Sequence, residues 1–475
     1  MVYQGKALRT AVRTMLEEVA AVGPDEQAAV AQLAGGLSGH STVALAGRIS
    51  SGKSTLVNAL VAEEIAPTDR SECTLVATMY AFGTPARREV VGLDGTTDDS
   101  AGDGSRDLGR AAGEVDYEVV YLSQAHLRDR YRIIDTPGLS TTTQSSEDAT
   151  RRALIDGGGL PSPDILLFLV EGGHLRSDEV AFLREAGATR LNTILVVAHA
   201  DNAGAGADGS GDPFDTAEKL ARNLAAEHPE LARAVVPVSG LMAQAAEVGV
   251  SETDAEALAA LAGAAADDLE LDLFTEADPT LLDLADRFGV YTVLHGRQAA
   301  ERGAVTLSEW LLQRSGLQRL RRVIDGQLAG YTEVSTARTA LAGIRRIATV
   351  SAHRDRVEAA IERFQIDPAT GSLQVAEALE QVMRRAPESP LTAELDRVFW
   401  AVDGAAACGL TAGTPLPAVQ SRARELLADC RTRRLTLMLG AEREALNVLE
   451  RSYQMAADGA VPAALRRGHR QEERR

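Results

Sequence analysis

Between residues 43 and 239, short apolar runs alternate with stretches of helical spacing. Runs at 43–46, 75–81, 89–93, 117–122, 132–135, 165–170, 193–198 and 235–238 have strand length, and the segments between them carry apolar residues three and four apart. That alternation predicts a doubly wound α/β layout with a mostly parallel sheet. Residues 94–113 and 203–211, rich in Gly, Asp and Ser, read as surface loops. Two helical patterns precede the first strand, Leu8 to Val19 and Val30 to Leu37, parted by Gly23-Pro24. Residues 241–278 are Ala-rich and acidic helical material, and no proline occurs from 280 to 367. Across that stretch Leu317, Leu320, Ile324, Val334, Leu341 and Phe364 recur at helical spacing; unbroken from Leu317 to Phe364 they would make one helix of roughly 70 Å, a stalk. Helices at 371–385 and 391–407, a turn at 409–415 and a returning pattern at 419–449 complete an elongated antiparallel bundle joined by the N-terminal helices. The expected division is 1–38 with the bundle, 39–278 as the α/β domain and 279–475 as neck or stalk.

The first α/β crossing carries the chemistry. Residues 47–55 read Gly-Arg-Ile-Ser-Ser-Gly-Lys-Ser-Thr, entered from an apolar run and left by the helical pattern Leu56, Val57, Leu60, Val61. Such a loop binds phosphate because its backbone N–H groups and the helix N-terminus face the anion. Gly47, Arg48, Ser50, Ser51, Gly52 and Thr55 form the cradle, Lys53 reaches the β and γ oxygens, and the Ser54 hydroxyl ligates Mg²⁺. Only three of the 49 basic residues are lysines, so Lys53 is no accident of composition. Further on, Asp135-Thr-Pro-Gly138 ends a strand, where Asp135 holds Mg²⁺ through water and the Gly138 N–H meets the γ-phosphate. Thr74, at the end of an intervening loop, reads either as a hydroxyl that closes over Mg²⁺ and the γ-phosphate or as a strand-opening residue.

Base choice should fall to a later strand end, where 193–198 runs into His199-Ala-Asp201. Asp201 accepts from guanine N1–H and the exocyclic amine, so GTP and GDP are the expected ligands. Ala198 and His199 stand where an amide and a lysine are usual; His199 either stacks on the base edge or caps a loop. Ser239-Gly240 lies where a backbone N–H contacts the guanine oxygen. Arg48 reads as a charge-stabilising arginine or, alternatively, as a salt-bridge partner.

Charge narrows the partners. Of the net −19, residues 331–475 contribute almost nothing, with 21 basic against 19 acidic residues, so the first 330 residues are strongly acidic. An acidic body lacks the basic footprint of general nucleic-acid binding. Three scattered cysteines suit a reducing compartment, and no signal-peptide pattern or run of eighteen apolar residues occurs, so a cytoplasmic protein with peripheral membrane contact is expected. The candidates for that contact are an aromatic segment, Phe399-Trp400, which also fits a core-facing helix stripe, and the basic tail 466–475, which also reads as a solvated end.

Taken together, the loop 47–60, Ala66-Pro-Thr with Thr74, Asp135-Thr-Pro-Gly138, the degenerate Ala198-His-Ala-Asp201 and Val238-Ser-Gly240 resemble those of bacterial dynamin-like proteins. More narrowly, they resemble those of the isoniazid-inducible dynamin-like proteins of mycobacteria and their actinobacterial relatives. The resemblance implies a GTP hydrolase head, a helical neck, and remodelling or maintenance of the inner face of the cell membrane. It also implies a dimer through the heads that orders Ser50 and Thr74 beside Lys53 and Gly138 for hydrolysis, with room for a paired dynamin-like paralogue. Leu139 and Ile49 occupy the two positions where related GTPases carry a water-orienting glutamine, so slow turnover in the monomer is expected. A GTP-gated scaffold with negligible turnover is the alternative. A ribosome-assembly GTPase would need a basic appendage that the neutral helical part lacks, and Asp201 argues against an ATPase.

Overall fold

The computed structural model describes residues 4–37, 40–66, 76–101, 109–124, 131–139, 144–155, 159–204, 211–276, 278–435 and 440–459. It divides into His40–Leu328 and a second unit made of Met1–Gly39 with Ala329–Arg475. Helices α1 (Gln4–Ala20) and α2 (Pro24–Leu37) belong to the second unit and precede the sheet.

Nine described strands form one mixed sheet: β1 (Thr42–Gly47), β2 (Ala77–Phe82), β3 (Arg87–Gly92), β4 (Thr97–Ala101), β5 (Val115–Leu122), β6 (Arg132–Asp135), β7 (Ile165–Val170), β8 (Thr193–Val197) and β9 (Ala234–Pro237). Their order is β4-β3-β5-β2-β6-β1-β7-β8-β9. From β6 to β9 every pairing is parallel, and β2 runs parallel to β5 but antiparallel to β6. The helices of this unit are α3 (Lys53–Val61), α4 (Gln144–Leu154), α5 (Ser177–Glu185), α6 (Pro213–Glu227), α7 (Gly240–Val248), α8 (Glu252–Ala260), α9 (Ala266–Phe274), α10 (Pro279–Phe288), α11 (Val290–His295), α12 (Arg297–Ala300) and α13 (Ala304–Arg314).

Alternate residues of the central strands serve opposite faces, so these strands are apolar throughout. Val43 and Leu45 of β1 pack with α3 and with Leu317, Leu320 and Ile324, while Ala44 and Ala46 pack with Phe182 and Leu183 of α5 and Leu224 of α6. All six residues of β1 are buried, which holds the start of the phosphate loop rigid.

Three expectations change. The segment 94–113 is not all loop: β4 pairs antiparallel with β3, after a turn in which Gly95 takes φ +77° and the Asp94 carboxylate accepts from the Thr96 N–H at 3.0 Å. Residues 97–99 are exposed edge positions with no apolar alternation to betray a strand. The head does not end at 278, because Leu281, Leu284, Leu307 and Leu311 join a core with Met242 of α7, and the unit continues to Leu328. The stalk helix is also shorter: α14 (Leu317–Val350) stops before α15 (Arg354–Ile366). Ser351 Oγ donates to Glu26 of α2 at 2.5 Å and accepts from the His353 N–H at 2.9 Å, diverting the backbone without a proline.

The second unit packs α1 and α2 with α15 and the later helices α16 (Gly371–Arg385), α17 (Leu391–Trp400), α18 (Gly404–Ala407), α19 (Leu416–Arg434) and α20 (Gly440–Ala457). Arg363 of α15 meets Glu18 of α1 at 2.8 Å, and Arg338 of α14 grips Glu380 of α16 with two bonds of 2.8 and 2.9 Å. Around the buried Tyr453 the Arg397 guanidinium donates to the phenol oxygen at 3.0 Å, and burial pushes the neighbouring Cys430 thiol up to about 11, too high for a reactive thiolate.

Of the aromatic segment, Phe399 falls on the core side and Trp400 is half-buried. Phe399 is fully buried, with Leu391, Leu395 and Val398 on the same stripe of α17. Replacing Phe399 by alanine will therefore destabilise the protein by about 3–5 kcal/mol, as a large core truncation does. A thermal melt checks this; an unchanged midpoint with loss of liposome binding would restore the tip. The basic tail 466–475 lies outside the described residues. Among those described, no helix is long and apolar enough to cross a membrane.

Candidate nucleotide site

Three loops converge on the N-terminus of α3. The first is the phosphate loop itself. Gly47 has φ +150° and touches β7 so closely that a Cβ would lie 2.7 Å from the Leu169 carbonyl oxygen. Gly52, the residue before α3, is left-handed at φ +83° and gives the helix no side-chain cap, which leaves the first-turn N–H groups for an external acceptor. Ser50 is left-handed too, at φ 64°, unusual for a residue with a side chain. Lys53 is buried, and its ammonium donates to the Gly47 carbonyl at 3.0 Å and the Arg48 carbonyl at 2.7 Å, closing the loop. The Ser51 hydroxyl is buried in the same turn and has no hydrogen-bond partner among the described residues.

The second loop leaves β6. Asp135 is buried, and Ser54 Oγ donates to its Oδ2 at 3.2 Å, so the two expected Mg²⁺ oxygens already face each other. Thr136 Oγ1 donates to the Leu45 carbonyl at 2.8 Å, and the Leu139 N–H donates to that of Gly47 at 3.0 Å. Gly138 is obligatory here: a Cβ would stand 2.5 Å from Ile49 Cγ1 and 2.8 Å from Ile49 N. From α4, Thr150 Oγ1 fastens the Pro137 carbonyl at 2.7 Å.

The third loop follows β8. His199 is left-handed, φ 53°, and its Nε2 lies 3.2 Å from the Ser50 carbonyl oxygen. Asp201 sits in the short 3-10 turn Ala200–Asn202, its Oδ2 3.2 Å from where a Cβ on Gly289 would be, so the α10–α11 corner approaches the carboxylate closely. Ser239 caps α7 by accepting from the Met242 N–H at 3.3 Å, and its own N–H donates to the Ser315 carbonyl at 2.9 Å. A Cβ on Gly240 would lie 3.5 Å from Thr55 Cγ2, so the β9–α7 corner also rests on α3.

The phosphate loop, the Asp135–Gly138 turn, His199 and Gly240 thus meet around the start of α3, while Thr74 lies outside the described residues. Arg48 takes the salt-bridge role: its guanidinium is 3.0 Å from Asp178 of α5. Next to it, burial pushes the Glu179 carboxyl above its usual range, opposed by the Arg176 N–H it accepts at 2.8 Å.

Two supporting residues escape a reading of motifs alone. Asn58 is fully buried, accepts from the Ile65 and Ala66 N–H groups at 3.0 and 2.7 Å and donates to the Ala66 carbonyl, setting where the loop towards Thr74 begins. Its signal is an amide placed on the apolar run 56–61, where only a satisfied polar group survives burial. Beside the base loop, Tyr291 lies between Phe214 and Trp310, at 5.1 and 6.1 Å between rings, and accepts from Arg314 at 2.8 Å. That cluster comes from segments 77 and 96 residues apart, and no sequence pattern joins them.

Residues 43–201, from the first strand through Asp201, match the Dynamin family. The isoniazid-induced protein IniC of Mycobacterium tuberculosis, in strains CDC 1551 / Oshkosh and H37Rv, is 35% identical over 332 residues. The match covers 64% of this chain and 66% of that protein, so the chain spans just under two thirds of its relative's length. A solved structure of an oligomerised bacterial dynamin pair, described as sensing and tethering membranes, is 12% identical with a TM-score of 0.38, covering 97% of this chain and 75% of that one. Aquifex aeolicus Era bound to GDP and AlF4⁻ is 15% identical with a TM-score of 0.25, over 42% and 50% of the two chains. Residues 43–201 thus match the Dynamin family, and the chain is similar to the mycobacterial isoniazid-induced protein over 332 residues.

Proposed function

We propose that this chain binds and hydrolyses GTP with Mg²⁺ and couples turnover to self-assembly at the inner face of the cytoplasmic membrane. The observation that carries the nucleotide reading is the meeting of Lys53, the Ser54–Asp135 pair and the Asp201 loop at the N-terminus of α3. The residues fit a polyphosphate: an uncapped helix start, a buried Ser51 hydroxyl with no partner among the described residues and a lysine that donates to two loop carbonyls. Ser54 and Asp135 are hard oxygen donors suited to Mg²⁺, which when bound neutralises charge on the β and γ oxygens. Lys53 offers its ammonium to the same oxygens, and Gly138 offers a backbone N–H. Asp201 reads the base, and Ser239-Gly240 closes over its far edge.

The membrane role, the head-to-head dimer and a paired paralogue rest on the family resemblance. A second reading, a GTP-gated scaffold, draws on Ile49 and Leu139: apolar side chains stand at both positions where a water-orienting glutamine is expected. GTP and ATP turnover measured against protein concentration, with and without anionic liposomes, separates the two. Turnover that is specific for GTP and rises per chain with concentration or liposomes is expected. Tight GTP binding with flat, near-zero turnover would select the scaffold, and failure to bind guanine nucleotide would overturn both.

A further inference from the structure

The segment α10–α13 meets the turn that carries Asp201 through a glycine corner. Gly289, between α10 and α11, has φ +87° and ψ 148°, a conformation that a residue with a side chain rarely adopts. A Cβ there would lie 3.2 Å from Asp201 Oδ2 and 3.7 Å from Leu241 Cδ2, so the bare backbone stands between the Asp201 turn and the start of α7, and α11 packs on that turn. Two residues on, Tyr291 is buried, with Phe214 edge-on at 5.1 Å and Trp310 stacked at 6.1 Å. Its phenol oxygen accepts from Arg314 Nε at 3.1 Å and Nη2 at 2.8 Å and donates to Asp212 Oδ2 at 3.4 Å. Arg314 also pairs with that Asp212 oxygen directly, while Asp212 Oδ1 caps α6 through the Phe214 N–H at 2.9 Å.

Ring packing alone does not require these polar groups, since a phenylalanine at 291 would bury the same faces. Apolar contact is non-directional and lets α11 slide along its neighbours, whereas hydrogen bonds from a guanidinium and to a carboxylate have direction and set where its first turn falls. We infer that Tyr291 and Arg314 are positioning residues for base recognition, which hold the Gly289 corner against Asp201 so that its carboxylate meets both guanine donors. The inference rests on the nucleotide reading above and extends it to a segment that carries no nucleotide-binding motif. Among the described residues the bonds of this cluster run to Asp212 and α6 rather than to the phosphate loop, so their loss falls on the base and spares the phosphates.

The test is calorimetry on the full chain with GDP, inosine diphosphate and pyrophosphate, each with Mg²⁺, in wild type, Y291F and R314M, beside a thermal melt of each. Inosine lacks the exocyclic amine, so the preference for GDP over inosine diphosphate reads how well Asp201 accepts from it. In both variants the GDP dissociation constant is expected to rise about five- to tenfold and the preference for GDP to fall severalfold, with pyrophosphate changed less than about twofold. Y291F keeps the ring and its neighbours, so it decides the matter even where R314M fails to fold. Wild-type GDP affinity in folded Y291F, a GDP loss matched by pyrophosphate, or one shared equally by inosine diphosphate would each make the cluster a packing feature and overturn the inference. If wild type binds neither GDP nor pyrophosphate, the nucleotide reading itself fails, a different result from any of these.

Discussion

An alanine at position 53 will weaken GTP binding by roughly a hundredfold or more and bring turnover to the buffer background, with the fold retained. Lys53 is buried at the first position of α3, and its Nζ sits within 3.0 Å of two loop carbonyls. Those carbonyls replace water around the buried ammonium, and they are weaker acceptors than phosphate oxygens. Alanine removes both the charge that a triphosphate would recruit and the two bonds that close the loop. The sheet beneath is untouched, since β1 is anchored by β6 and β7 on either side. Arginine is no substitute at this site: a planar fork needs more room than a point charge folded under Gly47. Equilibrium binding of GTP, phosphate release and a thermal melt on the same samples check the expectation. Retention of affinity within threefold would remove Lys53 from the site and with it the main support for phosphate binding.

The parts of this molecule that were legible in the sequence are those whose physics is local. A strand buried on both faces is apolar throughout, which is why β1, β7 and β8 stand out. The phosphate loop is legible because glycine, lysine and hydroxyl positions are fixed by backbone geometry over nine residues. What the sequence hid depends on distant partners. The polar strand β4 exists because β3 offers an edge and Asp94-Gly95 makes the turn, not because its own residues favour a sheet. The long helix stops at Val350 because Ser351 finds Glu26, 325 positions away, and proline spacing carries no trace of that. Residues 279–314 read as neck, yet they pack on α7 and bring Gly289 against Asp201, a closeness visible only once the chain is folded. Arg48 shows the same limit. Its place in the loop suggests catalysis, and Asp178 of a later helix engages it instead.

Base recognition gives the second large effect. Asp201→Asn will lower affinity for GTP and raise it for xanthosine triphosphate, a combined swing of roughly a thousandfold in the ratio of the two. The argument is one of donors and acceptors. Guanine presents N1–H and an exocyclic amine, two donors that a carboxylate accepts together, and xanthine replaces the amine by a carbonyl oxygen. An amide at 201 keeps one acceptor and supplies the donor that xanthine needs, while it leaves the guanine amine facing an N–H. Asparagine matches aspartate in shape, and the approach of Gly289, where an added Cβ would lie 3.2 Å from Oδ2, is preserved, so the 3-10 turn and its Ala200 N–H bond to the Val238 carbonyl should stand. Nearby, His199 still meets Ser50, so phosphate binding is expected to continue and the change should be confined to the base. Competition of GTP, xanthosine triphosphate and ATP against one fluorescent nucleotide measures all three affinities in a single series. An unchanged ratio would mean that Asp201 does not read the base and that the degenerate Ala-His-Ala-Asp segment only packs against α3. A swing towards xanthine would make this carboxylate the source of guanine choice, even without the usual amide and lysine before it.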